Sequence, residues 1–229
     1  MESPQATLLL TTHDIVYGID EVGRGAWAGP VTVGVCATKN PNTGGIDRLN
    51  DSKKLTRGIR EKLYQDILNW TDGVAITYIS AAWIDTYGLS KALSLGARAG
   101  LEVLETIHGP GPVLLDGPYD YINAGSTTQR QVHTGAKMDT REASVAAAAV
   151  IAKVQRDQLM AQLDPHDKYG WARNAGYGAG KHVQGVAEHG LCEHHRHSYK
   201  HWTETQKGPG DREISIHTTL LLPNTYARS

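Results

Sequence analysis

The sequence predicts a mixed α/β domain, a sheet flanked by helices. Three observations carry this: β-rich segments open the chain, apolar residues then recur at helical spacing, and a compact apolar strand is followed by a long alanine-rich run. Residues 15–20 are short and β-rich and stop at the glycine-punctuated stretch Gly23-Arg24-Gly25-Ala26-Trp27-Ala28-Gly29-Pro30. The apolar run 31–37 follows at once, so the two segments read as a hairpin. Residues 60–70 place Leu63, Ile67 and Leu68 at helical spacing, and residues 89–107 do the same with Leu93, Ala97, Leu101 and Leu104. Between these helices, residues 74–82 alternate like a third strand. Residues 112–115 form a compact apolar strand ending on Asp116-Gly117, and a further strand at 130–134 leads to Lys137-Met138-Asp139. Residues 142–163, alanine-rich with few breakers, read as one long helix packed closely on a sheet. After Pro165 the chain turns glycine- and histidine-rich, and beyond Trp202 polar, with Gly208-Pro209-Gly210 as a linker; residues 218–222 add an edge strand or stay loose. There is no internal repeat.

A chain of 229 residues, 40% hydrophobic and 21% charged, can build a single core without disulfides or metals as staples. Cys36 and Cys192 are too few for a disulfide framework. No basic stretch followed by an apolar run opens the chain, and no apolar run approaches the roughly 20 residues that span a bilayer. A cytoplasmic, monomeric protein without a membrane partner is the expectation. The net charge of −1 means that any nucleic acid would be held by local basic groups rather than by a strongly positive body.

The chemistry concentrates in carboxylates where strands end. Asp20 and Glu21 close the first strand, Asp116 closes a later one, and Asp139 precedes the alanine-rich helix. Adjacent strand residues point to opposite faces, so Asp20 and Glu21 serve one site only if the chain bends there, and Gly23 and Gly25 offer the bend. Four converging carboxylates repel unless cations neutralise them, and oxygen-only ligands suit Mg2+ or Mn2+. Spacing alone leaves open the alternative that each is a solvated loop cap.

The order of motifs narrows the choice. Gly18-Ile19-Asp20-Glu21-Val22-Gly23-Arg24-Gly25, followed by Ala28-Gly29-Pro30-Val31, resembles the opening signature of the ribonuclease HII family. Asp51-Ser52-Lys53-Lys54-Leu55-Thr56, Trp83-Ile84-Asp85, Leu114-Leu115-Asp116-Gly117, Lys137-Met138-Asp139 and Ala152-Lys153-Val154-Gln155-Arg156-Asp157 resemble its later blocks. So do Gly176-Tyr177-Gly178 and the stretch from Glu188 to Tyr199, giving ordered matches from Tyr17 to about Tyr199.

The resemblance implies a ribonuclease H-like fold, a mixed five-stranded sheet flanked by helices with a small helical C-terminal region. It divides the chain into a catalytic core over 14–164, a substrate-binding region over 165–204 and a polar tail over 205–229. It implies metal binding and catalysis by Asp20, Glu21, Asp116 and Asp139, with two Mg2+ or Mn2+ ions about 4 Å apart activating water and the 3′-oxygen leaving group. Its substrates would be RNA–DNA hybrids and duplex DNA carrying ribonucleotides, cut on the 5′ side of the ribonucleotide to leave 5′-phosphate and 3′-hydroxyl ends. Gly23, Arg24, Gly25 and Tyr177 would recognise the junction, where the 2′-hydroxyl tells RNA from DNA. Ser52, Lys53, Lys54, Lys181 and Arg196 are candidate phosphate contacts.

Three positions depart from the family pattern: Ala149 for serine, Tyr199 for phenylalanine, and Trp27, bulkier than usual and able to narrow the groove or add a stacking surface. Asp157 reads as an ion-pairing residue rather than a catalytic one. Cys192, His194, His195, His197 and His201 invite a zinc reading, but their spacing is not a clean paired motif. Two other readings have discriminating features. A type III ribonuclease H would need an extra N-terminal domain, for which the chain ahead of Tyr17 has no room. A catalytically silent hybrid-binding module is disfavoured by the four intact carboxylates.

Overall fold

The structure, a computed structural model, describes residues 9, 12–39, 49, 56–199, 201–202 and 212–223. Among the described residues one six-stranded sheet forms the centre. Its strands are β1 (Val16–Val22), β2 (Val31–Thr38), β3 (Gly73–Ile79), β4 (Val113–Asp116), β5 (Val132–Gly135) and β6 (Ile216–Leu221), in the order β5-β4-β1-β2-β3-β6. β1, β2, β3 and β6 pair antiparallel, while β4 lies parallel to β1 and β5 parallel to β4. The sheet is therefore mixed, as expected, with a sixth strand drawn from the segment read as tail.

β2 is buried along its whole length because helices cover both faces of the sheet. On one face, Val33, Val35, Tyr17 and Ile19 meet Leu93, Ala97, Leu101 and Leu104 of α3 (Leu89–His108). On the other, Cys36, Val74 and Ile76 meet Ile67 of α1 (Arg57–Trp70) and Ala147, Ala148, Ile151 and Ala152 of α4 (Ala143–Leu163). The alternation of Val33 and Val35 against Cys36 is the two-residue strand period.

Alanines line α4 because it lies almost on the strands. A Cβ added at Gly18 of β1 would stand 2.3 Å from the Ser144 carbonyl carbon, and one at Gly34 of β2 would stand 2.6 Å from the Ala148 oxygen. Neither atom belongs to a side chain that could move aside.

A short helix, α2 (Ala81–Tyr87), occupies the end of the segment expected to continue β3. Ser80 stops the strand and caps the helix, its hydroxyl accepting the Trp83 N–H at 3.2 Å. Beyond α4, α5 (Trp171–Asn174) and α6 (Gly180–His189) carry a smaller core of Tyr169, Trp171, Val186 and Leu191 that also includes Ala28 and Met160. The C-terminal region is thus packed directly on the loop that joins β1 to β2.

Candidate active site

Parallel pairing of β1 with β4 decides where the first carboxylates stand. Gly18 is opposite Leu114 and Ile19 opposite Leu115, so the next residues, Asp20 and Asp116, leave the same edge of the sheet on neighbouring strands. Strands in a sheet are about 4.8 Å apart. Asp116 Oδ1 accepts the Met138 N–H at 2.7 Å, which fastens the end of β4 to the 3₁₀ turn Met138–Thr140 carrying Asp139. Asp139 is buried, 1% exposed, and Asp20 is buried as well. Lys137, in the left-handed region with φ of 58°, makes the tight entry to that turn.

β1 does not bend between Asp20 and Glu21. Both lie inside the strand, which runs on to Val22, and the turn follows at Gly23, whose φ is +85°. Glu21 pairs with Arg24 at 3.1 Å and accepts the Tyr121 hydroxyl at 3.5 Å, while Asp20 Oδ1 accepts the Glu21 N–H at 2.8 Å. Burial, then the charges of Glu21 and Asp20, push the Tyr121 phenol well up, so it remains a hydroxyl donor. Among the described residues no three His, Cys, Asp or Glu side chains converge closely enough to make a metal-holding group. The backbone sets the carboxylates along one edge, and the side chains of Asp116 and Glu21 are turned to protein partners.

Asp20, Glu21, Gly23, Arg24, Arg60, Ala149, Lys153 and Tyr177 line a cleft of about 310 Å³. Tyr177 is 38% exposed on a turn between Gly176 and Gly178. Gly25 is exposed, and a Cβ there would meet nothing within 4 Å. Lys153 reaches Asp157 at 2.5 Å and Arg60 lies 3.9 Å from the same carboxylate, so Asp157 has the ion-pairing place expected of it.

The Tyr177 turn is tied from behind by a buried hydrogen-bonded chain. The Cys192 N–H donates to His195 Nδ1 at 3.0 Å, which leaves the His195 proton on Nε2, 3.1 Å from His182 Nε2. His182 Nδ1 then donates to the Tyr177 carbonyl at 3.0 Å. Both rings are neutral in this scheme. Burial, reinforced by His182, lowers His195 to about 3, and burial lowers His182 too.

Arg196 is a correction. It was expected to contact substrate phosphate, but it is fully buried and all three of its nitrogens donate to backbone carbonyls of the chain itself. Lys181 is exposed on α6, its stem against Gly170, and is not among the residues lining the cleft. Ser52, Lys53 and Lys54 lie outside the described residues. Trp27 does not offer a free stacking face. Its ring stacks on His201 at 4.5 Å, meets Trp202 edge-on and fills the space beside Gly178. Cys192 Sγ stands 3.2 Å from His195 Nδ1, but no metal-holding group forms there among the described residues. Tyr121 gave no signal in the sequence, and Arg156 stood in a family-like block without an assigned role, since each acquires its neighbours only through the fold.

The family model for ribonuclease HII matches residues 17–202. Ribonuclease HII of Streptomyces avermitilis is 42% identical over 192 residues, covering 82% of this chain and 78% of that relative. That of a Jannaschia species is 40% identical over 186 residues, covering 81% and 89%. Among solved structures, ribonuclease H2 from Pyrococcus horikoshii superposes with a TM-score of 0.65 at 25% identity, over 81% of this chain and 94% of that one. The Archaeoglobus fulgidus RNase HII, solved as a PCNA:RNase HII complex, shares the fold with a TM-score of 0.66 at 23% identity, over 83% and 97%. The mixed sheet and its flanking helices are a ribonuclease H-like α/β fold. The chain belongs to the ribonuclease HII family, the type II ribonucleases H.

Proposed function

We propose that this chain is an endonuclease that hydrolyses the RNA strand of RNA–DNA hybrids and incises duplex DNA on the 5′ side of embedded ribonucleotides, leaving 5′-phosphate and 3′-hydroxyl ends. The observation that carries the reading is the β1–β4 register, which sets Asp20 beside Asp116 at the edge where the Gly23 loop and Tyr177 border one cleft. Residues 14–164 form the catalytic core, 165–204 the substrate-binding region, and 205–229 a tail whose residues 216–221 complete the sheet.

Asp20, Glu21, Asp116 and Asp139 are the residues that would hold Mg2+ or Mn2+. An all-oxygen, all-anionic donor set fits a hard divalent cation. Asp116 accepts the Met138 N–H through Oδ1 alone, and Glu21 has one partner on each oxygen, Arg24 and Tyr121, so each carboxylate keeps lone pairs that could meet an ion. When bound, a pair of such ions supplies a nucleophilic water and neutralises charge on the leaving oxygen.

The chain's own residues provide recognition. Exposed Arg24 and Gly25 approach the sugar–phosphate backbone, and the half-exposed Tyr177 ring stacks on the deoxyribose that follows the ribonucleotide. Lys153 and Arg60 add positive charge to the same cleft. The test is cleavage of an RNA strand annealed to DNA, with Mg2+, with Mn2+, and with chelator. Cleavage restored by either ion supports a nuclease; binding of the hybrid without cleavage under all conditions would make the chain a silent binding module.

A further inference from the structure

Two buried arginines lie beneath the loop that joins β1 to β2, and neither forms an ion pair among the described residues. Arg196 donates from Nη2 to the Gly23 carbonyl at 2.6 Å, from Nη1 to that of Arg24 at 2.9 Å, and from Nε to that of Gly29 at 3.1 Å. Arg156 donates from Nη2 to Ala28 at 3.1 Å, from Nε to Pro30 at 2.9 Å, and from Nη1 to Ala175 at 2.8 Å. The Arg156 guanidinium also lies over the Tyr177 ring, 5.8 Å from its centre. Arg196 therefore braces the loop from its Gly23 end across to Gly29. Arg156 ties the loop's far end to the turn that carries Tyr177.

Burying a guanidinium without a counter-charge costs several kcal/mol. Six charge-assisted hydrogen bonds offset that cost, and they fix the loop's peptide planes. In a trans peptide the carbonyl and the following N–H point in opposite directions. With the Gly23 and Arg24 carbonyls turned inward to Arg196, the N–H groups of Arg24 and Gly25 turn outward. Both residues are exposed, and among the described residues neither amide donates to a protein acceptor. Successive outward N–H groups over a buried positive charge make a concavity for an oxygen acceptor. Arg156 also explains the glycine at 23, since a Cβ there would stand 2.2 Å from its Nε. Burial and the neighbouring charge of Arg196 lower Arg156 only to about 10, which keeps it cationic at neutral pH.

We propose that Arg156 and Arg196 are positioning residues for substrate recognition, a paired clamp that aims the Arg24 and Gly25 amides at an oxygen of the ribonucleotide's sugar–phosphate backbone. The clamp also holds Tyr177 at a fixed place across the cleft. This rests on the reading that the Gly23–Gly25 loop contacts substrate. Tyr199 extends the clamp: its hydroxyl accepts from Arg196 Nη1 at 2.8 Å and donates to the Arg24 carbonyl at 2.9 Å, which phenylalanine could not do.

The experiment measures KM and kcat of Arg196→Lys, Tyr199→Phe and Gly25→Pro on a duplex with one embedded ribonucleotide and on a continuous RNA–DNA hybrid, beside each thermal midpoint. Arg196→Lys keeps the charge and loses the fork; Gly25→Pro removes one outward amide and leaves both arginines and Tyr199 in place, in a position where an added Cβ meets nothing within 4 Å. The clamp predicts that Arg196→Lys raises KM on the single-ribonucleotide duplex about tenfold, the scale of one lost charge-assisted bond. It predicts a smaller change in kcat and a reduced preference for that duplex over the hybrid. Tyr199→Phe, which removes only a hydroxyl, should shift the preference in the same direction and by less, and decides the matter if Arg196→Lys does not fold. Equal losses on both substrates that follow the fall in melting temperature would overturn the proposal and leave the arginines as fold residues. If Gly25→Pro alters the preference and the other two variants do not, the clamp is wrong although the loop reads substrate. If none alters it, the loop does not read substrate and both ideas fall.

Discussion

Asp116 and Met138 are joined by a 2.7 Å hydrogen bond from the Met138 N–H to the Asp116 carboxylate, so the carboxylate at the end of β4 also holds the turn that carries Asp139. Replacing Asp116 with Asn keeps the oxygen that accepts this bond and removes the negative charge. Hydrolysis should fall by orders of magnitude in Asp116→Asn while duplex binding and melting temperature stay close to those of the parent. Turnover near the parent's, with Mg2+ or Mn2+ supplied, would remove Asp116 from the site.

Tyr177 offers a ring to the cleft while its backbone carbonyl is held by His182. Tyr177→Ala should cost about 1–3 kcal/mol on single-ribonucleotide duplexes, the size of a lost aromatic stack, and less on continuous hybrids. A lower melting temperature with equal rate losses on both substrates would mean that the ring only packs against Arg156.

The histidine chain gives stability a pH dependence. His195 is lowered to about 3 in the folded protein against about 6.5 when unfolded, and His182 is lowered as well, so below about 6.5 the unfolded chain takes up protons that the folded one refuses. Their contribution is complete above that pH and is lost as pH falls toward 3. The melting temperature should therefore decline steadily from pH 7 to pH 5. Imidazole nitrogen resonances should show His195 neutral at pH 5.5 with its proton on Nε2, and His182 at pH 7.5 with its proton on Nδ1; a protonated His195 at pH 5.5 or the opposite tautomer at either ring would show the chain to be wrongly drawn.

With a net charge of −1 and a cleft whose cations include Arg24, Arg60 and Lys153, binding should weaken with salt on a shallow slope reflecting a handful of phosphate contacts. A log–log slope near that of a strongly basic DNA-binding protein would require phosphate contacts beyond this cleft.

Much of this arrangement was legible in the sequence, and the misses have physical reasons. The strand end at Asp116 could be read because the apolar run stops there, whereas β1 runs two residues past Asp20 because its pairing with β2 continues to Val22, and the alanines of the long helix announced its closeness to the sheet. The boundary between β3 and α2 was hidden because Ala81 and Ala82 continue the apolar pattern past Ser80. β6 alternates only weakly, as an edge strand partly open to solvent does. Arg196 was misplaced for a deeper reason. A sequence shows a positive charge but not whether six loop carbonyls, most of them some 170 or 130 residues away in the chain, turn toward it and its partner Arg156.

Incision of a duplex carrying a single ribonucleotide tests the reading most directly. With Mg2+ or Mn2+ present, the labelled strand should be cut once, on the 5′ side of the ribonucleotide, giving a 3′-hydroxyl on the upstream fragment and a 5′-phosphate on the ribonucleotide, and Asp116→Asn should abolish the cut. A strand left whole under conditions where a continuous hybrid is degraded, or a cut on the 3′ side leaving a cyclic or 3′-phosphate end, would contradict it.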